Sequence, residues 1–137
     1  MSRYLLDTNI CVHFLKNEYD VKKKIAQVGL RACFLSEITI AELLFGVENS
    51  APERRQRNRD NLADFQTLFS GRIIGIGNVL PEYARQKAAL KRAGRAVGEF
   101  DLLIGATALV HDHILVTRNT RHFTDLMGIK LENWIDL

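Results

Sequence analysis

Tyr4-Leu5-Leu6-Asp7-Thr8-Asn9-Ile10 opens the chain with a short apolar run that stops on a carboxylate. Leu5 and Leu6 read as the end of a buried strand, Asp7 as the residue at its carboxyl end, and Thr8 or Asn9 as the start of a helix. In parallel α/β sheets, ligands bind in the crevice beyond the carboxyl ends of the strands. An acid there is a candidate metal ligand or catalytic group. Asp, Thr and Asn are also good helix N-caps, and capping is the commoner reason to find them at such a place.

Three further apolar runs resemble the first. Cys33-Phe34-Leu35 ends at Ser36, Ile73-Ile74-Gly75-Ile76 forms another short run, and Ile114-Leu115-Val116 ends at Thr117. Leu131 to Ile135 reads as a short closing strand or an extended tail. Between the runs, helices are expected over 10–15, 19–28, 37–47, 53–69, 81–92 and 102–110. The segment 37–47 is apolar nearly all round, so it is expected to be buried. Asn49-Ser50-Ala51-Pro52 breaks it, and Pro81 suits the first turn of the helix it opens. Short strands alternating with helices indicate an α/β fold with a mainly parallel sheet. The order of strands is not legible in the pattern.

The 137 residues are enough for one domain with its own core. The apolar fraction of 47% and charged fraction of 26% are ordinary for a soluble protein. No apolar run is long enough to span a membrane, and the N-terminus carries no leader pattern, so a cytoplasmic protein is expected. Cys11 and Cys33 lie among apolar residues without metal-binding spacing and read as reduced core thiols. The net charge of +3 suggests a polyanionic partner, but only weakly.

Two more acids stand where Asp7 stands, at the edge of apolar elements. Glu42 lies within the apolar helix, where a carboxylate is costly unless it is paired with an Arg, exposed on one polar stripe, or bound to a metal. Asp101 begins an apolar helix after the loop Gly94-Arg95-Ala96-Val97-Gly98-Glu99-Phe100, as an N-cap or a ligand. Gly46 and Gly105 follow these two acids at i+4, on the same helix face. Each acid therefore has an open spot beside it, for another backbone, a metal or a substrate, or for simple helix packing. Thr117-Arg118-Asn119 closes the set beyond another strand. A cluster of carboxylates repels itself, and a hard cation such as Mg²⁺ or Mn²⁺ supplies the counter-charge. His111 and His113 do not have zinc spacing, and His13 and His122 read as isolated.

The ordered set is Leu6-Asp7-Thr8-Asn9; Thr39-Ile40-Ala41-Glu42-Leu43 with Gly46; Gly94-Arg95 through Phe100-Asp101-Leu102-Leu103-Ile104-Gly105-Ala106; and Val116-Thr117-Arg118-Asn119 with Phe123. With the closing Leu131-Glu132-Asn133-Trp134, it resembles the PIN-domain family, and within it the VapC toxins of prokaryotic toxin–antitoxin pairs. The resemblance spans essentially the whole chain, residues 1–137, as a single PIN domain.

That resemblance implies a three-layer α/β/α sandwich with a mainly parallel sheet, and an Mg²⁺- or Mn²⁺-dependent endoribonuclease leaving 5′-phosphate and 3′-hydroxyl ends. Asp7, Glu42 and Asp101 match the three family acids around the metal, with Asp7 and Asp101 as direct ligands and Glu42 either ligating through water or helping to orient the attacking water. Asn119 stands where many relatives carry a fourth acid, which weakens the case for a tightly held second metal. Thr117 and, more weakly, Thr39 are candidates to position a water. Glu99 and Ala96 depart from a frequent proline, and Glu99 is expected to face solvent. Lys87, Lys91, Arg92 and Arg95 are candidates to hold an RNA backbone, and Arg54 to Arg59 form a basic cluster further off. The implied partners are the RNA substrate, a VapB-type antitoxin covering the site, and a second copy of the chain in a homodimer or toxin–antitoxin hetero-oligomer. A PIN nuclease of RNA processing or structured DNA, and an inactive RNA- or protein-binding PIN domain, are the alternatives.

Overall fold

Side-chain alternation within the strands sets the layers. Leu5 and Leu115 belong to an apolar cluster with Leu90, Leu102, Ile104, Ala108, Phe123 and Leu126. Leu6 and Val116, one residue on, belong to another with Ile10, Cys11, Leu35, Leu43, Leu62 and Phe65. Successive strand residues point to opposite faces, so the sheet is covered on both sides, as parallel sheets require.

The structure is a computed structural model describing residues 1–136; Leu137, the last residue of the expected domain, lies outside the described residues. The chain runs β1 (Tyr4–Leu6), α1 (Thr8–Leu15), α2 (Val21–Val28), β2 (Cys33–Ser36), α3 (Glu37–Glu48), α4 (Pro52–Leu68), β3 (Ile73–Ile74) and α5 (Leu80–Arg92). It ends with α6 (Glu99–His111), β4 (Ile114–Val116) and β5 (Leu131–Glu132), and a short 3-10 turn, Thr120–His122, follows β4. The strands form one sheet in the order β3-β2-β1-β4-β5, and every pairing is parallel. Buried residues of α1, α2 and α4, and most of those of α3, fill one cluster, and those of α5 and α6 fill the other. The result is the expected three-layer α/β/α sandwich.

β1 sits at the centre, with Leu5 level with Phe34 of β2 and with Leu115 of β4. The chain leaves β1 toward β2 on one side and returns to β4 on the other. This is the point where strand order reverses, and it opens the crevice that α/β folds use for ligands. Asp7 is the first residue past it.

Several elements differ from the pattern read in the sequence. α6 begins at Glu99, because Leu102 N–H already bonds to Gly98 O at 2.8 Å. Asp101 thus lies in the first helical turn and is not the N-cap. α2 starts two residues later than expected, since Tyr19 and Asp20 take left-handed backbone angles, φ 55° and 54°, in the preceding turn. β3 is only Ile73–Ile74. The closing strand is Leu131–Glu132.

The largest difference concerns α3, which is not buried all round. Ile40, Leu43 and Val47 face the core, while Ala41, Leu44, Phe45 and Gly46 are exposed. A single helix face meets the sheet and α4, and no part of the described chain covers the opposite one. Cys11 and Cys33 are buried free thiols, as expected. Burial pushes the Cys33 thiol up to about 11, so it is unreactive at neutral pH. Among the described residues, no helix is long and apolar enough to cross a membrane.

Candidate active site

Asp7 is held by the end of β1 and by the strand beside it. Its N–H donates to Val116 O at 2.9 Å, which extends the β1–β4 ladder by one bond. Oδ1 accepts from Thr8 N–H at 2.8 Å, the N-cap bond of α1. Oδ2 accepts from the Thr117 hydroxyl at 2.8 Å and from Asn9 Nδ2 at 3.2 Å. The cap and the site residue are therefore one side chain, because a carboxylate has lone pairs for both tasks.

The Asp7 carboxyl is 5% exposed, and its pKa is pushed up to about 6. Burial is the main cause; the Thr117 and Thr8 hydrogen bonds pull it down, and the charges of Asp101 and Glu42 push it up. Asp7 thus feels both other acids. Among the described residues, no Lys or Arg pairs with Asp7, Glu42 or Asp101, whose one such contact is His122 on Asp101.

Glu42 is half-buried rather than sealed in the core. Its Oε1 accepts from the Thr8 hydroxyl at 2.7 Å, and that hydroxyl lies 3.1 Å from Thr39 Oγ1. Among the described residues Glu42 makes no ion pair, so an Arg partner is not what keeps it there. Thr8 links the two acids, its N–H on Asp7 and its hydroxyl on Glu42. The sequence offers Thr8 only as a cap; its contact with α3 depends on the tertiary fold.

Thr117 is fully buried. Its hydroxyl donates to Asp7 and accepts from Asn119 N–H at 3.0 Å and Asn9 Nδ2 at 3.3 Å. Asn9 Oδ1 in turn accepts Arg118 N–H at 3.1 Å, which ties the turns after β1 and β4 together. The Asn119 side chain is exposed and makes no hydrogen bond among the described residues. Its backbone fixes the turn.

Asp101 approaches from α6, where a first-turn carboxylate is favoured by the helix dipole. Its Oδ2 lies 3.2 Å from His122 Nδ1, so His122 is not isolated. Its neighbour in sequence, Phe123, is fully buried, and that burial is the only local hint of where the histidine goes. The spot beside Asp101 at Gly105 is filled, not open: a Cβ there would meet Leu126 Cδ1 at 2.3 Å. The corresponding spot at Gly46 is open.

Some expected phosphate-binding cations are already engaged. Lys87 pairs with Glu99 at 2.6 Å, and Arg95 pairs with Asp125 at 2.8 Å. Glu99 is exposed and also accepts from Tyr83, which leaves it outside the acid cluster. Lys91 and Arg92 form no ion pair among the described residues. Two cavities flank the acids. One, of about 270 Å³, is lined by Thr8, Val12, Glu42, Leu43, Gly46 and Leu62 among others. The other, of about 440 Å³, includes Val97, Gly98, Asp101, Arg121, His122 and Asp125 in its walls.

The oxygens at and beside Asp7 are carboxylate and hydroxyl, a set that suits a hard divalent cation and not zinc. Among the described residues, no three His, Cys, Asp or Glu side chains close into a metal cage.

Comparison with known proteins is consistent across sequence and structure. The PIN domain family profile matches residues 4–127. Ribonuclease VapC2 of Haemophilus influenzae is 33% identical over 98% of this chain and 100% of its own. The tRNA(fMet)-specific endonuclease VapC of Shigella flexneri is 33% identical over 98% of this chain and 99% of its own. In the DNA-bound VapBC structure from Salmonella typhimurium, one chain superposes with a TM-score of 0.88 at 27% identity, covering 98% of this chain and 99% of that one.

Proposed function

The chain belongs to the PIN-domain family and, within it, to the VapC ribonucleases, and from that premise we propose that it is the toxin of a toxin–antitoxin pair, a metal-dependent endoribonuclease held in check by a VapB-type antitoxin. On this reading residues 1–137 act as one PIN domain, and the reaction is hydrolysis of an RNA phosphodiester bond. The observation that carries the reading is Asp7: an acid at the end of the central strand whose charged form is destabilised first by burial and, to a lesser degree, by Asp101 and Glu42. Such an arrangement is costly without a cation and useful with one.

Asp7 and Asp101 are the proposed direct holders of Mg²⁺ or Mn²⁺, and Glu42 the more distant partner. A bound cation supplies Lewis-acid stabilisation of the phosphoryl group and lowers the pKa of a water. The rest belongs to the chain. Thr117 and Thr8 fix both Asp7 oxygens, and Thr8 fixes Glu42 Oε1, leaving Oε2 to orient the attacking water. Asn119, neutral and exposed at the rim, adds polarity without charge, which favours a site with one tightly held cation. Lys91 and Arg92, free of ion pairs among the described residues, are the cations of α5 proposed to meet the RNA backbone.

The exposed apolar face of α3 supports association with a second copy of the chain. The apolar cavity between α1, α3 and α4 supports cover by an antitoxin segment next to Glu42. VapBC structures among the relatives support a toxin–antitoxin complex.

The test incubates purified protein with total RNA, initiator tRNA and DNA, in Mg²⁺ or chelator, beside Asp7→Ala and Asp101→Ala. Cutting of RNA but not DNA, lost in chelator and in both variants, is expected. Equal cutting by folded variants removes the assigned site, and DNA cutting moves the chain to another branch of the family.

A further inference from the structure

His122 touches Asp101 from the turn that follows β4. The contact is between His122 Nδ1 and Asp101 Oδ2, at 3.2 Å. A carboxylate oxygen accepts hydrogen bonds, so the contact is assigned with Nδ1–H donating to Oδ2. The histidine is held from its backbone: His122 N–H bonds to Asn119 O and Phe123 N–H to Thr120 O, both at 3.0 Å.

The next residues anchor that turn to the helix bearing Asp101. Phe123 is fully buried and Leu126 nearly so. Both pack where a side chain of residue 105 would otherwise stand, one turn after Asp101 on α6. Gly105 thus brings the segment carrying His122 down onto the helix carrying Asp101. On the outer side, the Arg95–Asp125 ion pair links the loop before α6 to the same segment.

We propose that His122 is a positioning residue for Asp101: its Nδ1–H holds Oδ2, so that Oδ1 is the oxygen presented to the divalent cation. Partners that orient metal-binding side chains in this way typically contribute 10- to 100-fold in metal affinity. The proposal rests on Asp101 being a cation ligand, and its test separates the two claims.

Mn²⁺ binding is measured by calorimetry on the purified chain without RNA, for the native protein, Asp101→Asn, His122→Ala and His122→Asn. An Asn amide nitrogen hangs from Cγ as Nδ1 does, so it can restore the bond to Oδ2. Expected results are a loss of binding in Asp101→Asn, affinity weakened about 10-fold in His122→Ala, and affinity close to native in His122→Asn. At subsaturating Mn²⁺, RNA cleavage by His122→Ala should show a lower kcat with KM for RNA unchanged, and His122→Asn should recover it. Native affinity in His122→Ala, with binding lost in Asp101→Asn, overturns the role of His122 alone. Native affinity in Asp101→Asn overturns the ligand assignment and this proposal with it. A raised KM for RNA with unchanged Mn²⁺ affinity makes His122 an RNA contact and also overturns the proposal.

Discussion

Asp7 combines two tasks that compete for the same charge. As a cap it should be ionised, but burial beside Asp101 and Glu42 lifts its pKa to about 6. The unfolded value is about 3.9, so between these two values the folded state binds the additional proton. Stability is then highest at the acid end of that window and falls as pH rises through 6. The loss at neutral pH is on the order of 3 kcal/mol when no cation is present. Asp7→Asn, which keeps an oxygen to accept from Thr8 N–H, should therefore be inactive yet more stable at pH 7 by roughly 1–3 kcal/mol. Its denaturation midpoint should lack the fall between pH 4 and 6. Mg²⁺ should raise the midpoint of the native chain and leave that of the variant unmoved. A less stable Asp7→Asn would show that the cap outweighs the electrostatic cost. The sequence made Asp7, Glu42 and Asp101 legible because acids next to apolar runs are conspicuous. Thr8 and His122 were not, since a hydroxyl bonded to a helix 34 residues away, or a histidine on a carboxylate 21 residues back, leaves no local mark.

Among the elements, α6 and α3 are the instructive pair, each apolar on more than one face. In α6 much of the surplus is used inside the chain, although Phe100 and Val110 at its two ends are exposed. Gly105 admits Leu126 and Phe123, and Gly105→Ala would force a Cβ to within 2.3 Å of Leu126 Cδ1. Overpacking of this kind costs about 1–3 kcal/mol. Leu126→Ala also destabilises, by leaving a cavity, but the double variant should be more stable than the sum of the two predicts. A double-mutant cycle in chemical denaturation measures that coupling, and strict additivity would mean the two side chains do not meet. In α3 the surplus points outward, with Leu44 47% and Phe45 68% exposed. Periodicity could not separate these cases. An apolar helix surface reads the same whether its cover comes from its own chain or from another.

At the scale of the molecule, the fold class was readable from the alternation of strands and helices, whereas strand order and β1 at its centre were not. β1 comes to the centre through its pairing with β4, between residues over a hundred positions apart, which no local pattern encodes. The outward face of α3 matters at this scale. Exposed apolar patches usually mark association surfaces, so Phe45→Asp should shift the chain toward monomer in sedimentation, with its fold and thermal midpoint nearly unchanged. A native chain already monomeric, or a variant that still dimerises, would place the contact elsewhere.

The pairing of β1 with β4 also bears on how the protein comes into being. Tyr4–Leu6 is synthesised long before its partner Ile114–Val116. Until Val116 and Thr117 emerge, Asp7 lacks both the strand that fixes its backbone and the hydroxyl that fixes Oδ2. Long-range parallel pairing is slow to form. A nascent chain therefore carries Asp7 without the geometry that holds it, and the site can assemble only after β4 and Thr117 have been made.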